Sequence, residues 1–314
     1  MTEKKRFVRL KANDPLVEEL ATGNYPWWNT LVALSHTDKD INIQVRPSYL
    51  NVYSKMGNLL KVEMADGKLV CKTHYKYLID SHRPEYVDVL PSGKDIAVTL
   101  PSCNLITSIL EEENFRRIKL NIARLAGEEK RIQSTLVEKN CRTLLDAEIA
   151  FNDSGTQTGF EEESALGSGA TRIDLVNYDK NRNMLVFIEL KQVFDDRLYS
   201  NLKGFKEVNE QIAKYTAFAT IHKKDILEAY NDVIEVKTKL GLLPNDSILK
   251  SVRIECVEPK PILAIAAYNQ NIIDAMKVEV KKGLNIGGLS ALYFFGSSPI
   301  DLNLDKDTNK ELFI

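Results

Sequence analysis

The chain has few of the residues on which disulfide and zinc frameworks depend. Its four cysteines, Cys71, Cys103, Cys141 and Cys256, are scattered without a Cys-x-x-Cys pair. Its four histidines are dispersed as well and show no zinc-ligand spacing. These absences exclude a disulfide scaffold and a zinc-finger module. We expect reduced, buried thiols and a cytoplasmic protein.

Long apolar runs are also missing. Residues 1–6 are not followed by an apolar signal segment, and no run approaches the roughly 20 residues that cross a bilayer. We therefore expect a soluble protein with no membrane partner. The hydrophobic share of 44% and the charged share of 27%, over 314 residues, are typical of globular chains and suffice for two modest domains.

The chain also lacks an excess of basic over acidic residues. The chain has 42 lysines and arginines against 44 aspartates and glutamates, a net charge of −2. This balance argues against tight, non-specific binding of nucleic acid through overall charge. Lysines alternate with tyrosines between residues 49 and 77, a pattern that suits phosphate contact and base stacking. An antiparallel sheet with one wet face gives the same pattern, and we favour that interpretation.

Short alternating apolar runs dominate the first third of the chain. They predict strands over 41–45, 49–55, 59–64 and 68–71, with Asp66-Gly67 as a hairpin turn. A short helix is predicted over 14–20, and Trp27 and Trp28 are expected to anchor the core. We predict a small β-rich domain over residues 1–103.

Longer helical patterns alternate with apolar strands from residue 104 onwards. This alternation predicts an α/β domain over 104–314. Helices are expected over 104–126, 198–222 and 224–240, and strands over 252–257, 261–267 and 290–295, whereas 271–282 carries both signals. Gly287-Gly288 is interpreted as a turn.

The most informative segment is a predicted hairpin. Residues 171–176 and 184–190 are apolar runs separated by a polar turn. Because side chains on a strand alternate between faces, Glu189 and Lys191 point the same way. Antiparallel pairing about the turn then brings Asp174 close to Glu189. An exposed Glu-x-Lys is usually only a solvated surface, but this one ends a run apolar enough to be a central strand.

Two adjacent carboxylates repel each other unless a cation or a proton lies between them. Mg²⁺ suits such a site because it takes a few carboxylate oxygens and keeps several waters. Lys191 adds a positive charge where charge would develop on a reacting phosphate. The residues therefore predict a metal and phosphate site.

Together these residues resemble the PD-(D/E)xK, or restriction-endonuclease-like, nuclease superfamily. The resemblance rests on Arg172-Ile173-Asp174 followed by Ile188-Glu189-Leu190-Lys191. Ile173 replaces the proline of the family motif. Gln211 and Tyr215 reproduce the Gln-x-x-x-Tyr pattern of the RecB-like branch, and four residues apart on a helix they share a face.

Two further segments extend the resemblance towards the N-terminus. Residues 127–133 are similar to the first core helix of the family, in which Glu129 best fits the glutamate that reaches the metal. Residues 146–151 match the first core strand. The family role of Glu129 has rivals in three other acidic residues, Glu128, Glu138 and Glu148.

The resemblance implies a restriction-endonuclease-like core, a mixed central sheet flanked by helices. Asp174, Glu189, Glu129 and the Leu190 carbonyl would hold Mg²⁺, with Mn²⁺ able to substitute. Lys191 would assist attack of water on a phosphodiester bond. Gln211 and Tyr215 would hold Lys191 and the substrate phosphate in place.

The predicted function is a metal-dependent nuclease that cuts DNA, as an endonuclease rather than an exonuclease. A role in defence against foreign DNA follows by analogy alone. Cutting both strands would favour a homodimer, and residues 1–103 could receive an activator or protein partner. RNA remains an alternative substrate. The other class is a binding or assembly module that retains the fold without turnover.

Overall fold

A computed structural model describes residues 7–79, 86–92, 95–100, 105–151, 171–199, 205–267 and 269–295. The chain divides into two compact units. The meander unit comprises Arg9–Ser134 and Asp232–Asn245, and the mixed-sheet unit comprises Met1–Val8, Thr135–Asn231 and Asp246–Ile314. Residues 105–134, which the predicted boundary at residue 104 assigned to the second domain, group with the meander unit. The division of the chain into two independent domains at this boundary stays a prediction.

The meander unit contains a seven-stranded sheet in which neighbouring strands are consecutive in the chain and antiparallel. Its strands are β1 (Ile41–Val45), β2 (Tyr49–Ser54), β3 (Gly57–Ala65), β4 (Lys68–His74), β5 (Tyr86–Ser92), β6 (Asp95–Leu100) and β7 (Leu105–Ser108). Its helices are α1 (Pro15–Ala21), α2 (Pro26–Thr37), α3 (Tyr75–Ile79) and α4 (Glu112–Leu125).

Local sequence accounts for the start of this unit. Asp14 caps α1, because its Oδ1 accepts a hydrogen bond of 2.9 Å from the backbone N–H of Leu16. Asp66 and Gly67 adopt φ angles of 50° and 71°, as a tight hairpin turn between β3 and β4 requires. Trp27 and Trp28 are buried, which confirms them as core anchors.

Two sequence predictions in this unit are wrong. The helix expected from residue 104 begins only at Glu112, because Leu105–Ser108 forms β7 and pairs with β6. This segment contains the β-branched residues Ile106 and Thr107, and β-branched residues are favoured in strands. Helix α2 was not expected, although Pro26 at its first position favours a helix start.

The mixed-sheet unit contains a six-stranded sheet of order β13-β12-β10-β9-β8, with β11 paired to β10. Its strands are β8 (Leu144–Phe151), β9 (Thr171–Asp179), β10 (Met184–Gln192), β11 (Cys256–Val257), β12 (Ile262–Ala266) and β13 (Ala291–Phe295). Helices α6 (Lys206–Ile221) and α8 (Gln270–Val280) belong to it, and α5 (Glu128–Lys139) and α7 (Lys223–Lys239) contribute residues to both units.

This sheet combines antiparallel and parallel pairing. Strands β8, β9 and β10 are antiparallel neighbours, whereas β12 runs parallel to β10 and β13 runs parallel to β12. The expected α/β class is therefore confirmed. The strand expected over 252–257 is reduced to the two residues of β11, which follow a 3₁₀ turn at Ile248–Ser251.

Strand β10 lies inside its sheet, paired with β9 on one edge and with β11 and β12 on the other. Its residues from Leu185 to Lys191 are all buried. Helices α6 and α8 pack with β12 and β13 in one apolar cluster that includes Ile212, Leu263, Met276 and Leu292. No helix within the described residues is long and apolar enough to cross a membrane.

Candidate active site

The β9–β10 hairpin positions the predicted acidic residues. Its register places Ile188 opposite Leu175, so the next residues of the two strands are Glu189 and Asp174. The backbone N–H of Leu190 donates a hydrogen bond of 2.7 Å to Asp174 Oδ2. The carboxylate of Asp174 is thereby fixed against the backbone of the segment that carries Glu189 and Lys191.

Lys191 makes the closest contacts of the site. Its ammonium donates to Glu189 Oε1 and, at 3.2 Å, to the carbonyl oxygen of Leu190. The exposed fractions are only 2% for Glu189 and 3% for Lys191. A charged pair this deeply buried must be held by its own contacts, because water cannot solvate either charge.

Helix α6 completes the hydrogen bonding of Glu189. The Gln211 amide donates to Glu189 Oε1 at 2.7 Å and to the Tyr215 hydroxyl at 2.6 Å. The Tyr215 hydroxyl lies against both Glu189 Oε2 and the backbone carbonyl oxygen of Arg172. With one hydrogen, it donates to one of these acceptors at a time. Gln211 and Tyr215 therefore hold Glu189 rather than Lys191, which refines their predicted role.

The charges of the site act on the pKa of Lys191 in opposite directions. Burial alone would lower that pKa, because it disfavours the charged ammonium. The negative charges of Glu189 and Asp174 outweigh burial, so the pKa of Lys191 lies above its usual value. Lys191 is therefore an ammonium at neutral pH.

The same surroundings act on the pKa of Tyr215. Burial, followed by the charges of Glu189 and Asp174, raises the pKa of Tyr215 well above its usual value. The folded protein therefore keeps this proton when the unfolded chain loses it, above about pH 10. The contribution is fully present below that pH and is lost as pH rises further.

This shift makes Tyr215→Phe a test of the buried phenol. The wild-type free energy of unfolding should fall more steeply above about pH 10, by up to about 1.4 kcal/mol per pH unit, than that of the variant. Urea denaturation in steps between about pH 9 and 11 measures both slopes. Equal slopes would show that Tyr215 does not titrate as its surroundings imply.

An ion pair that the sequence analysis did not select lies just beyond β10. Arg197 donates to Asp195 Oδ1 at 2.8 Å and also contacts Asp195 Oδ2. The positive charge of Arg197 acts to lower the pKa of Lys191, although it does not reverse the overall increase. The sequence signal that could have identified this pair is the Asp-x-Arg spacing of residues 195 and 197, shortly after β10 ends at Gln192.

The structure places the glutamate predicted to complete the metal site in the other compact unit. Glu129 lies in the first turn of α5, within the meander unit, and its metal role stays a prediction. Of its rivals, Glu128 pairs with Arg131 at 3.6 Å and Glu148 pairs with Arg172 at 3.7 Å. Across the described parts of the chain, no three His, Cys, Asp or Glu side chains form a group that could hold a metal ion.

The lysine–tyrosine pattern between residues 49 and 77 extends from β2 to α3, with Lys61 on β3 and Lys72 on β4. Lys61 and Lys72 are opposite each other, and both contact Glu63, at 2.7 Å and 3.0 Å. The Lys61 ammonium also lies 4.5 Å from the centre of the Tyr49 ring. These lysines therefore balance a carboxylate within their own sheet, as expected for a wet sheet face.

Comparisons with known proteins add no relative. No protein-family model matches the chain, and neither the curated proteins nor the solved structures include a match to it. What the chain does is therefore inferred from the chemistry of the β9–β10 hairpin and α6.

Proposed function

We propose that the chain is a metal-dependent nuclease of the PD-(D/E)xK type. The observation that carries the proposal is the convergence of Asp174, Glu189 and Lys191 around the Leu190 peptide. The buried carboxylate of Glu189 and ammonium of Lys191, next to the half-buried carboxylate of Asp174, are costly to fold. Chemistry on a negatively charged phosphate is a use that repays this cost, because it needs a cation and a positive side chain together.

The order of elements supports the same proposal. Helix α5 precedes β8, the β9–β10 hairpin follows, and α6 comes next in the chain. This is the order of helix, strand, hairpin and helix that the resemblance implies. Strand β12, parallel to β10, then extends a mixed sheet. We propose a restriction-endonuclease-like core on this basis.

The oxygen atoms of the site suit Mg²⁺ or Mn²⁺. Asp174 and Glu189 offer carboxylate oxygens, and Leu190 offers a carbonyl oxygen in the same place. Hard divalent cations prefer such oxygen ligands. The Lys191 ammonium already contacts Glu189 and Leu190, so these oxygen atoms accommodate a positive charge. Bound there, the metal would supply Lewis-acid activation of water and of the phosphate.

The side chains of the chain itself have separable tasks. Lys191 places a positive charge where negative charge develops on the phosphate. Gln211 and Tyr215 hold the Glu189 carboxylate in one orientation through hydrogen bonds to both of its oxygens. Asp174 is oriented by the Leu190 N–H. The hydrogen bonds that orient Glu189 and Asp174 are made before substrate arrives, so these two carboxylates need little reorientation during reaction.

We propose DNA as the substrate, cut internally, with RNA as the alternative. A homodimer would supply two sites for a double-strand cut. An activator or protein partner would bind residues 1–103, and defence against foreign DNA is the corresponding biological role. These assignments follow from the resemblance and from the presence of a second compact unit in addition to the one that carries the site.

One observation favours a second function, a nucleic-acid-binding or assembly module without turnover. Both carboxylate oxygens of Glu189 already accept hydrogen bonds from protein groups. A site that never binds metal would have the same closed network. The two functions differ in whether a divalent metal starts cleavage.

A cleavage assay separates them. Wild type and Asp174→Asn are incubated with plasmid, linear duplex DNA, single-stranded DNA and RNA, each with Mg²⁺, Mn²⁺ or EDTA. We expect cutting by wild type with metal only, and a loss of about a hundredfold or more in Asp174→Asn. Asp179→Asn is a matched control, because Asp179 ends the same strand and pairs with Arg182 at the surface. Binding of nucleic acid without cutting under every condition would favour the binding module.

A further inference from the structure

The Lys191 ammonium contacts the same atoms that the proposed metal needs. It donates to Glu189 Oε1 and to the Leu190 carbonyl oxygen, and the charge of Asp174 attracts it as well. The predicted metal ligands among the residues of β9 and β10 are Asp174, Glu189 and Leu190. The ammonium therefore contacts two of the oxygen atoms that the proposed metal would bind.

We propose that Lys191 is an internal cation that competes with the divalent metal for this site. A metal reaches the Glu189 and Leu190 oxygens only when the ammonium leaves them. The inference rests on the proposed function, because it takes these oxygens to be metal ligands. It adds that the same side chain which assists the reaction also limits metal binding before the reaction.

Three features of the site support competition. Hard divalent cations bind oxygen at short range, at roughly 2.0–2.1 Å for Mg²⁺, so a metal and an ammonium cannot share one oxygen without strong repulsion. The site is buried, so water does not screen that repulsion. Gln211 and Tyr215 hold the carboxylate in place, so Glu189 cannot turn a different oxygen outwards without breaking their bonds.

Calorimetry with the full-length protein and Mg²⁺ or Mn²⁺ alone tests the competition. We expect weak binding to wild type and at least tenfold tighter binding to Lys191→Met, which keeps the length of the side chain without its charge. Lys206→Met is the matched control, since Lys206 lies on α6 with a side chain that is 81% exposed, and its metal affinity should equal that of wild type. Asp174→Asn, which leaves the Glu189–Lys191 pair in place, should abolish binding and so identify the site.

A second measurement uses the wild-type chain and does not depend on the fold of a variant. In nuclear magnetic resonance spectra, the ammonium signal of Lys191 should be protected from solvent exchange without metal and should lose that protection as Mg²⁺ is added. The signal of Lys237 is the control, because this lysine is also buried and donates to Gln44 at 3.1 Å.

The outcomes distinguish the inference from the function on which it rests. Equal metal affinity in wild type and Lys191→Met, or a Lys191 signal that stays protected at saturating Mg²⁺, would overturn the competition and leave the nuclease proposal standing. Absence of metal binding in both proteins, together with absence of metal-dependent cutting by wild type, would overturn both.

Discussion

Lys191→Ala is expected to lower the single-turnover rate of nucleic acid cleavage by about 10²–10³-fold. The substitution removes a positive side chain that contacts Glu189, next to the proposed metal ligands. Because only 3% of Lys191 is exposed, it contributes little to the surface that first meets nucleic acid. We therefore expect substrate affinity, measured by fluorescence anisotropy in EDTA, to change by less than about threefold.

A surface lysine provides the control for this experiment. Lys224→Ala changes an exposed lysine near the start of α7, and its cleavage rate should match that of wild type. Circular dichroism verifies that each variant is folded at the assay temperature. Unchanged turnover in Lys191→Ala would remove Lys191 from the mechanism, and with it the main chemical argument for the nuclease assignment.

Glu189→Gln is expected to lower the free energy of unfolding by about 3–5 kcal/mol, the usual effect of removing one partner from a buried ion pair. The neutral amide leaves the ammonium of Lys191 buried without its closest carboxylate. The amide also has an NH₂ group where Glu189 has a second acceptor oxygen. This group would face Lys191, Gln211 and Tyr215, which are all hydrogen-bond donors to this side chain. Urea denaturation at neutral pH measures the change.

Two comparison variants make this result specific. The double variant Glu189→Gln/Lys191→Met leaves neither charge buried and should recover more than half of the lost stability. Glu113→Gln breaks a surface pair with Arg116, in which both side chains are at least two-thirds exposed, and should change stability by less than about 1 kcal/mol. A loss no larger than that of Glu113→Gln would mean that the buried pair is not essential to the fold.

The geometry of the hairpin could be predicted from the sequence because it depends on local alternation. Residues two apart on a strand share a face, which assigned Glu189 and Lys191 to one side and Leu190 to the other. The four-residue spacing of Gln211 and Tyr215 assigned them to one helix face in the same way. The structure shows both faces meeting at Glu189.

Contacts that depend on distant segments could not be predicted. Alternation indicates that Lys191 and Glu189 are neighbours, but not that Lys191 binds Glu189 while Gln211 and Tyr215 hold the same carboxylate. The sequence favoured Glu129 over its rivals Glu128, Glu138 and Glu148 as the further metal ligand, but the choice among these four depends on tertiary placement. Glu148, for instance, adopts a φ of 58° and pairs with Arg172.

One element was mispredicted, and one grouping of residues was not predicted, for a related reason. Residues 105–108 begin with the apolar pair Leu105 and Ile106, which fits a helix or a strand, and the segment forms a strand because it pairs with β6. Residues 232–245 follow directly from α7 residues of the mixed-sheet unit, yet they group with the meander unit. Neither composition nor hydrophobic periodicity indicates that a late segment of the chain groups with a unit formed by the first 134 residues.

The burial of the Glu189–Lys191 pair restricts how this protein can diverge. Exposed catalytic residues can be lost one at a time with little effect on folding. Here each single replacement leaves an uncompensated charge inside the sheet, so an intermediate with one partner changed is less stable than a protein with both partners retained or both replaced. We therefore expect relatives to retain both residues or to have replaced both, so that the two positions covary. An inactive descendant would then be recognised by a matched pair of neutral residues at 189 and 191.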